Sequence, residues 1–341
     1  MKEDWLTQTL GELMESYCFT IDFFGGRGLP APDPRWTMPQ YCAALDMVLL
    51  EERGFDRQLL ATDFASFMTR LERLSAPVGP ALQTLTIRGG RDKRGMAEPV
   101  ELTLKPGMVV GIVGPTGSGK SRLLADIECL AQGDTPTGRR ILVNGAVPDA
   151  AQRFGLEQKL VAQLSQNMNF VVDLTVTEFI RLHAASRMIV DETAVCAAII
   201  AQANELAGER FGADLPVTQL SGGQSRALMI ADTALLSRSP LVLIDEIENA
   251  GVDRKKALAL LVRAEKLVLI ATHDPLLALL GDQRIILRNG GIAEVIVGDA
   301  AERSQLATLE ALDRGMMRLR ERIRAGERID GATLRQCGIG N

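Results

Sequence analysis

Residues 111–121 read GIVGPTGSGKS, a glycine-rich turn closed by Lys120 and Ser121 directly after a short apolar run. The pattern G-x-x-x-x-G-K-[ST] is that of a phosphate-binding loop. Gly114, Gly117 and Gly119 let the backbone turn tightly and bring its N–H groups onto phosphate oxygens. A helix starting near Lys120 aims its positive end at the same anion. Lys120 can reach β- and γ-phosphates, and the Ser121 hydroxyl can hold Mg²⁺. The candidate phosphate ligands are therefore Gly114, Pro115, Thr116, Gly117, Ser118, Gly119, Lys120, Ser121 and Arg122.

A second chemical feature ends the apolar run Leu241–Ile244, where two carboxylates, Asp245 and Glu246, follow at once. Consecutive residues leaving a strand point in different directions. One carboxylate can then hold Mg²⁺ while the other faces an attacking water, the division of labour that phosphoryl transfer needs. A third feature, Leu220-Ser221-Gly222-Gly223-Gln224, opens a helical stretch and offers a further anion site at a helix start.

With LSGGQ lying between the phosphate loop and the strand-Asp-Glu, the chain resembles the ATP-binding cassette (ABC) ATPase family over about residues 82–297. The resemblance implies a P-loop α/β core with a mainly parallel sheet, an antiparallel sub-sheet and a helical insertion. It implies Mg²⁺-dependent ATP hydrolysis, with Lys120 and Glu246 as catalytic residues and Asp245 beside Ser121 on the metal. Gln166, spaced before Thr175-Val176 as in the family's glutamine loop, is expected on Mg²⁺ and the attacking water; Gln163 competes for the role at a poorer spacing. His273, in LIATHDP, is expected on the γ-phosphate. Relatives associate head to tail, so a second nucleotide-binding domain, in the simplest case a homodimer, is implied. Ser221, Gly222, Gly223 and Gln224 then serve the opposite subunit's ATP.

Three departures from the family pattern stand out. No aromatic residue occurs between Phe67 and Phe154, so adenine is expected on an aliphatic such as Ile87 or on an aromatic from the N-terminal part, with relaxed base selectivity. The segment DEIENAGVD is one residue longer than the family's D-E-P-T-x-x-L-D and lacks its proline; Asp253 fills the last position. Asp232 stands near where relatives often carry arginine.

The elements that must position these groups are legible in outline. Val109–Val113 feeds the phosphate loop, and the runs Leu241–Ile244 and Leu267–Ile270 read as strands buried on both faces of a parallel sheet. Residues 82–87 and 100–104 read as early strands, and 284–288 with 292–297 as a hairpin about Asn289-Gly290-Gly291. Residues 175–208 are helical in pattern, and 301–324 read as one helix with Leu309, Leu312, Met316, Leu319 and Ile323 at 3-4 spacing. That helix suits packing on its own domain or pairing with a partner.

Both Trp, both Tyr and six of ten Phe lie between Trp5 and Phe67, which marks a separate N-terminal helical module. Its helical signals fall at 6–14, 41–48 and 59–71, with a Gly/Pro-rich loop after the first and a linker at 75–80. The expected organisation is 1–80 for this module, 81–298 for the nucleotide-binding domain with an insertion at about 167–225, and 299–341 for a C-terminal helix and tail.

A net charge of −5 argues against a general nucleic-acid binder. No apolar run approaches the roughly 18 residues of a membrane span, and the acidic start MKEDWLTQTL lacks a signal-peptide core. Five scattered cysteines suit free thiols in a reducing cytosol. The expectation is a cytoplasmic protein that reaches the inner face of the membrane only through a partner. Two readings of what hydrolysis drives stay open. One is the energy-coupling subunit of an ABC transporter acting on a membrane permease. The other is a soluble ABC ATPase that remodels, assembles or activates a client complex, favoured by the aromatic N-terminal module and the altered Asp-Glu loop.

Overall fold

Capping and aromatic packing organise the first 75 residues. The computed structural model describes residues 3–17, 19–75, 81–155, 159–165, 170–187, 189, 191–246 and 251–339. Helices α1 (Leu10–Ser16), α2 (Thr20–Gly25), α3 (Met38–Ala44), α4 (Met47–Glu52) and α5 (Arg57–Ser75) belong to a unit made of 1–79 together with 181–195. Thr9 with Glu12 and Thr37 with Gln40 close capping boxes at the starts of α1 and α3. The helical signal at 41–48 is two helices, because the Asp46 carboxylate accepts the Val48 N–H and starts α4 afresh. Helix α2 carries no clear sequence signal; Phe23 and Phe24 on it are central to the core, with Phe23 edge-on to Phe64 at 5.0 Å and Phe24 edge-on to Tyr41 at 5.0 Å. Such edge-to-face pairs add to the apolar area removed from water. The expected linker lies, from 76 to 80, outside the described residues.

The second unit comprises 80–180 and 196–341. Its strands are β1 (Leu85–Arg88), β2 (Leu102–Leu104), β3 (Val109–Val113), β4 (Arg140–Val143), β5 (Val161–Leu164), β6 (Leu241–Asp245), β7 (Leu267–Ala271), β8 (Gln283–Arg288) and β9 (Gly291–Val297). The order β2-β1-β4 forms an antiparallel sub-sheet, and β5-β6-β7-β3-β8-β9 forms the main sheet. Every main-sheet pairing is parallel except β8 with β9. The runs on β6 and β7 are buried along nearly their whole length, as strands covered on both faces must be. Val242, Ile244, Val268 and Ile270 share one core with Ala227 and Ile230.

The remaining helices are α6 (Lys120–Glu128), α7 (Ala150–Phe154), α8 (Val176–Ser186), α9 (Glu192–Leu206), α10 (Gly222–Leu235), α11 (Arg254–Arg263), α12 (Pro275–Leu280), α13 (Ala300–Ser304), α14 (Leu306–Arg324) and α15 (Gly331–Gln336), of which α8 from 181 on and α9 up to 195 fall in the first unit. The single helix expected over 301–324 is instead two. Asp299 caps α13, and at Gln305 the backbone closes with an N–H bond to Glu302 O (3.0 Å), three residues back, which interrupts the i−4 ladder before α14 begins. Helix α14 is tied to α11 by Arg254–Asp313 at 2.5 Å and Lys255–Glu310 at 2.5 Å. Leu312, Met316, Met317 and Ile323 stay exposed on it.

Candidate active site

The register of the main sheet sets β6, β7 and β3 side by side, pairing Asp245 with Ala271 and Ile112 with Ala271. The carboxyl ends of three adjacent parallel strands therefore open onto one place, where open α/β sheets place their ligands. The phosphate loop leaves β3 there, Glu246 follows β6, and His273 follows β7.

The loop's glycines are required by close approach. A Cβ on Gly119 (φ 104°) would stand 2.9 Å from Gly290 Cα. Gly119 also caps α6 with no side-chain acceptor, so the first-turn N–H groups of α6 are left for an anion. Pro115, Thr116 and Gly117 form the exposed crest of the loop, and Ser121 and Arg122 are exposed on the first turn. Ser118 Oγ is buried in the loop wall with no hydrogen-bond partner among the described residues.

Lys120 is only 8% exposed. It donates to Gly114 O at 3.0 Å and meets His273 Nε2 at 3.0 Å. An ammonium has only donors, so this contact puts a lone pair on His273 Nε2 and the ring proton on Nδ1. Glu246 Oε1 lies 3.8 Å from the same nitrogen. Glu246 sits in the left-handed region (φ 51°), a conformation costing about 1–2 kcal/mol for a residue with a Cβ. Its backbone is pinned on both sides: its N–H donates to Ala271 O (3.0 Å), and its carbonyl accepts from Arg226 Nη1 (3.1 Å). Such over-determination is what keeps a strained residue in place at a functional site.

Ser121 Oγ and Asp245 Oδ2 stand 3.4 Å apart. Two neighbouring ligands of an octahedral Mg²⁺, each at about 2.1 Å, lie about 3 Å apart, so this hard-oxygen pair fits the ion. Among the described residues no cluster of three or more His, Cys, Asp or Glu could hold a metal by itself. Mg²⁺ does not need one, since it is bound through one or two carboxylates plus substrate phosphates.

The signature residues behave differently. Ser221 caps α10: its hydroxyl accepts the Gln224 N–H (3.3 Å), while Gln224 Oε1 accepts the Ser221 N–H (2.9 Å). LSGGQ is thus a capping box that holds Gly222 and Gly223 in the first turn of the helix. Among the described residues none of the hydrogen bonds of Ser221 or Gln224 reaches Lys120, Asp245, Glu246 or His273. Gln166 and residues 247–250 lie outside the described residues. Gln163 lies in β5, its amide directed at the Glu128 carboxylate on α6. Asp253 accepts the Lys256 N–H and caps α11. The expectation that adenine rests on Ile87 is overturned. Ile87 is 1% exposed, a core residue of β1, the central strand of the sub-sheet, where it pairs with Leu102 on one side and Ile141 on the other.

Two residues with a bearing on the site carry no local motif. One is Arg226, described above. The other is Arg139, whose side chain is fully buried. It pairs with Glu98 and, at 2.7 Å, with Asp126 of α6, and donates to Gly290 O at 2.8 Å. Burial works against its charge, but the Glu98 and Asp126 carboxylates outweigh burial, and its pKa is raised. This cluster joins the helix after the phosphate loop to the β8–β9 turn that packs on Gly119.

The family model for ABC transporters matches residues 97–249. An ABC transporter ATP-binding protein of Methanocaldococcus jannaschii is 53% identical over 249 residues, 73% of this chain and 95% of that protein. The chain belongs to the ABC transporter ATPase family. A macrolide export ATP-binding/permease protein of Chromobacterium violaceum is 30% identical over 69% of the chain, which spans only 36% of that protein. The fold is shared with CbiO1 of Clostridium perfringens, part of the ABC transporter complex CbiONQ, at TM-score 0.50 and 22% identity, covering 67% of this chain and 94% of that one. As an ABC ATPase the chain has an α/β cassette that binds ATP, and none of its described helices is long and apolar enough to cross a membrane.

Proposed function

We propose that the chain hydrolyses ATP at this strand edge and that hydrolysis drives a membrane permease held as a separate partner. The observation that carries the first half is the convergence of Lys120, Ser121, Asp245, Glu246 and His273 from three adjacent strands, with Lys120 Nζ 3.0 Å from His273 Nε2 and Ser121 Oγ 3.4 Å from Asp245 Oδ2. The N–H groups of Thr116, Gly117, Gly119, Lys120 and Ser121, at the loop and the α6 N-terminus, take the phosphates, and Lys120 moves from Gly114 O and His273 onto the β- and γ-oxygens. Ser121 and Asp245 would hold Mg²⁺, with Gln166 as the third expected ligand, and the bound ion would supply charge neutralisation at the phosphates. Glu246 orients the water and takes its proton, while His273 Nε2, freed when Lys120 leaves and protonated from solvent, donates to the γ-phosphate. Ser221, none of whose hydrogen bonds among the described residues reaches this cluster, and Gly223 contact ATP held by a second copy, so the working form is a head-to-tail dimer.

Lys120→Ala is expected to weaken MgATP binding about a hundredfold, since it removes charge-assisted bonds to the phosphates. Titration calorimetry against the parent protein checks this, and equal affinities would remove Lys120 from the site.

Support for the permease comes from the relatives, which are named as transporter ATP-binding proteins or as ATP-binding/permease fusions. The protein then sits at the inner face of the membrane through its partner. The test is capture of partners by tagged Glu246→Gln protein with ATP and Mg²⁺ from native cells, split into membrane and soluble fractions. Recovery of an integral membrane protein is the expected result. A soluble enzyme complex in its place overturns the permease reading in favour of a remodelling ATPase and directs attention to the aromatic unit around Phe23 and Phe64.

A further inference from the structure

The loop between β1 and β2 lies against the phosphate loop and carries Arg91, Lys93 and Arg94 where no aromatic side chain is present. Its turn is fixed by its own residues. Asp92 Oδ1 accepts from the Arg94 N–H at 2.8 Å and the Met96 N–H at 2.9 Å, and Arg91 pairs with Ala97 across it. It is also fixed from outside, because the Lys93 N–H donates to Asn289 O (2.8 Å) and the neighbouring Gly290 N–H donates to Ser118 O (2.9 Å). A Cβ on Gly290 would stand 3.0 Å from Lys93 Cγ, so the bare glycine provides the bed for the lysine stem. The ammonium then reaches Gly117 O at 2.9 Å, on the exposed crest of the phosphate loop.

Two ammonium groups therefore flank one loop. Lys120 is held at Gly114, beside His273; Lys93 is held at Gly117, three residues further along the loop. Lys93 is exposed, and an exposed ammonium on a neutral carbonyl gains little over water. An anionic phosphate oxygen is the stronger acceptor.

We propose that Lys93 contacts the bound nucleotide, transferring its ammonium from Gly117 O to a phosphate oxygen on the nucleoside side of the chain, away from His273 and Glu246. The inference rests on the reading of this loop as the ATP site. Lys93 reads phosphate charge, which ATP, ADP and GTP share, and the β1–β2 loop supplies no ring on which to rank the bases.

The test uses the purified full chain and its Lys93→Met and Lys93→Arg variants, with calorimetric binding of ATP, ADP and GTP in Mg²⁺ at several salt concentrations and steady-state hydrolysis. Lys93→Met is expected to weaken all three nucleotides by about the same factor, about tenfold. It should also flatten the salt dependence of binding and raise the KM for ATP by a similar factor. Lys93→Arg should restore affinity and salt dependence. Unchanged affinity in Lys93→Met overturns the proposal, as does loss of ATP with GTP retained, or weaker binding at an unchanged salt dependence, which marks a lysine that only braces the loop. If the parent protein binds no ATP, the site reading itself fails. If Lys120→Ala loses ATP while Lys93→Met does not, only the role of Lys93 fails.

Discussion

Glu246→Gln is expected to keep MgATP binding close to that of the parent protein and to lower steady-state hydrolysis by about 10²–10⁴-fold, the range for a positioned general base. Glutamine has the same length and shape, so it can occupy the same left-handed position, held by Ala271 O and Arg226. It cannot take a proton from water. The side chain is only 27% exposed and sits 3.8 Å from His273 Nε2, at the end of the cleft where Lys120 and His273 meet. Binding, by contrast, depends on Lys120 and the loop N–H groups, which the substitution leaves alone. Parallel binding and phosphate-release assays check the prediction. Turnover at the parent rate would show that Glu246 is not the base, whatever its position.

Arg139→Met is expected to destabilise the second unit by about 3–5 kcal/mol, the usual cost of breaking a buried ion pair from one side. A melting temperature lower by roughly 6–20 °C follows for a domain of this size. The size of the effect comes from what is left behind. Glu98 and Asp126 would remain as two buried carboxylates, and Asp126 Oδ1 already lacks a partner among the described residues. Among the described residues Asp126 Oδ2 would keep only the Thr137 hydroxyl, and the Glu98 carboxylate only the Ile292 N–H. Combining Arg139→Met with Glu98→Gln and Asp126→Asn removes the three charges together and should regain much of the loss, since buried ionic clusters often exchange for neutral groups at little cost. If Arg139→Met melts with the parent protein in scanning calorimetry, the cluster is not stabilising. The same variant loosens Gly290 from the guanidinium, so nucleotide binding should weaken along with stability.

The residues that act within their own motif were legible in the order of amino acids. The phosphate loop, Asp245-Glu246 and His273 each follow directly on an apolar run, and such runs announce buried strands whatever surrounds them. Boundaries were less legible. The break at Gln305 depends on one hydrogen bond three residues back, and the start of α4 on one carboxylate at Asp46, neither of which alters the apolar spacing. Ile87 reads equally well as an exposed platform or a core residue, and only the tertiary packing of β1 turns it into the core.

What the chain determined by itself was therefore the chemistry available: a loop for phosphate, two carboxylates, a histidine and a capped glycine turn at Ser221. These rest on backbone preferences and on contacts within a few residues, which short-range order specifies. Which groups meet was decided only by the tertiary structure. Ser121 reaches Asp245, and Lys120 reaches His273, because β6, β7 and β3 are neighbours in the sheet although far apart in the chain. Arg226 on Glu246, Arg139 between Glu98 and Asp126, and Lys93 on Gly117 are long-range contacts of the same kind. Sheet order and register are cooperative properties of the whole core, and no local pattern of residue types encodes them.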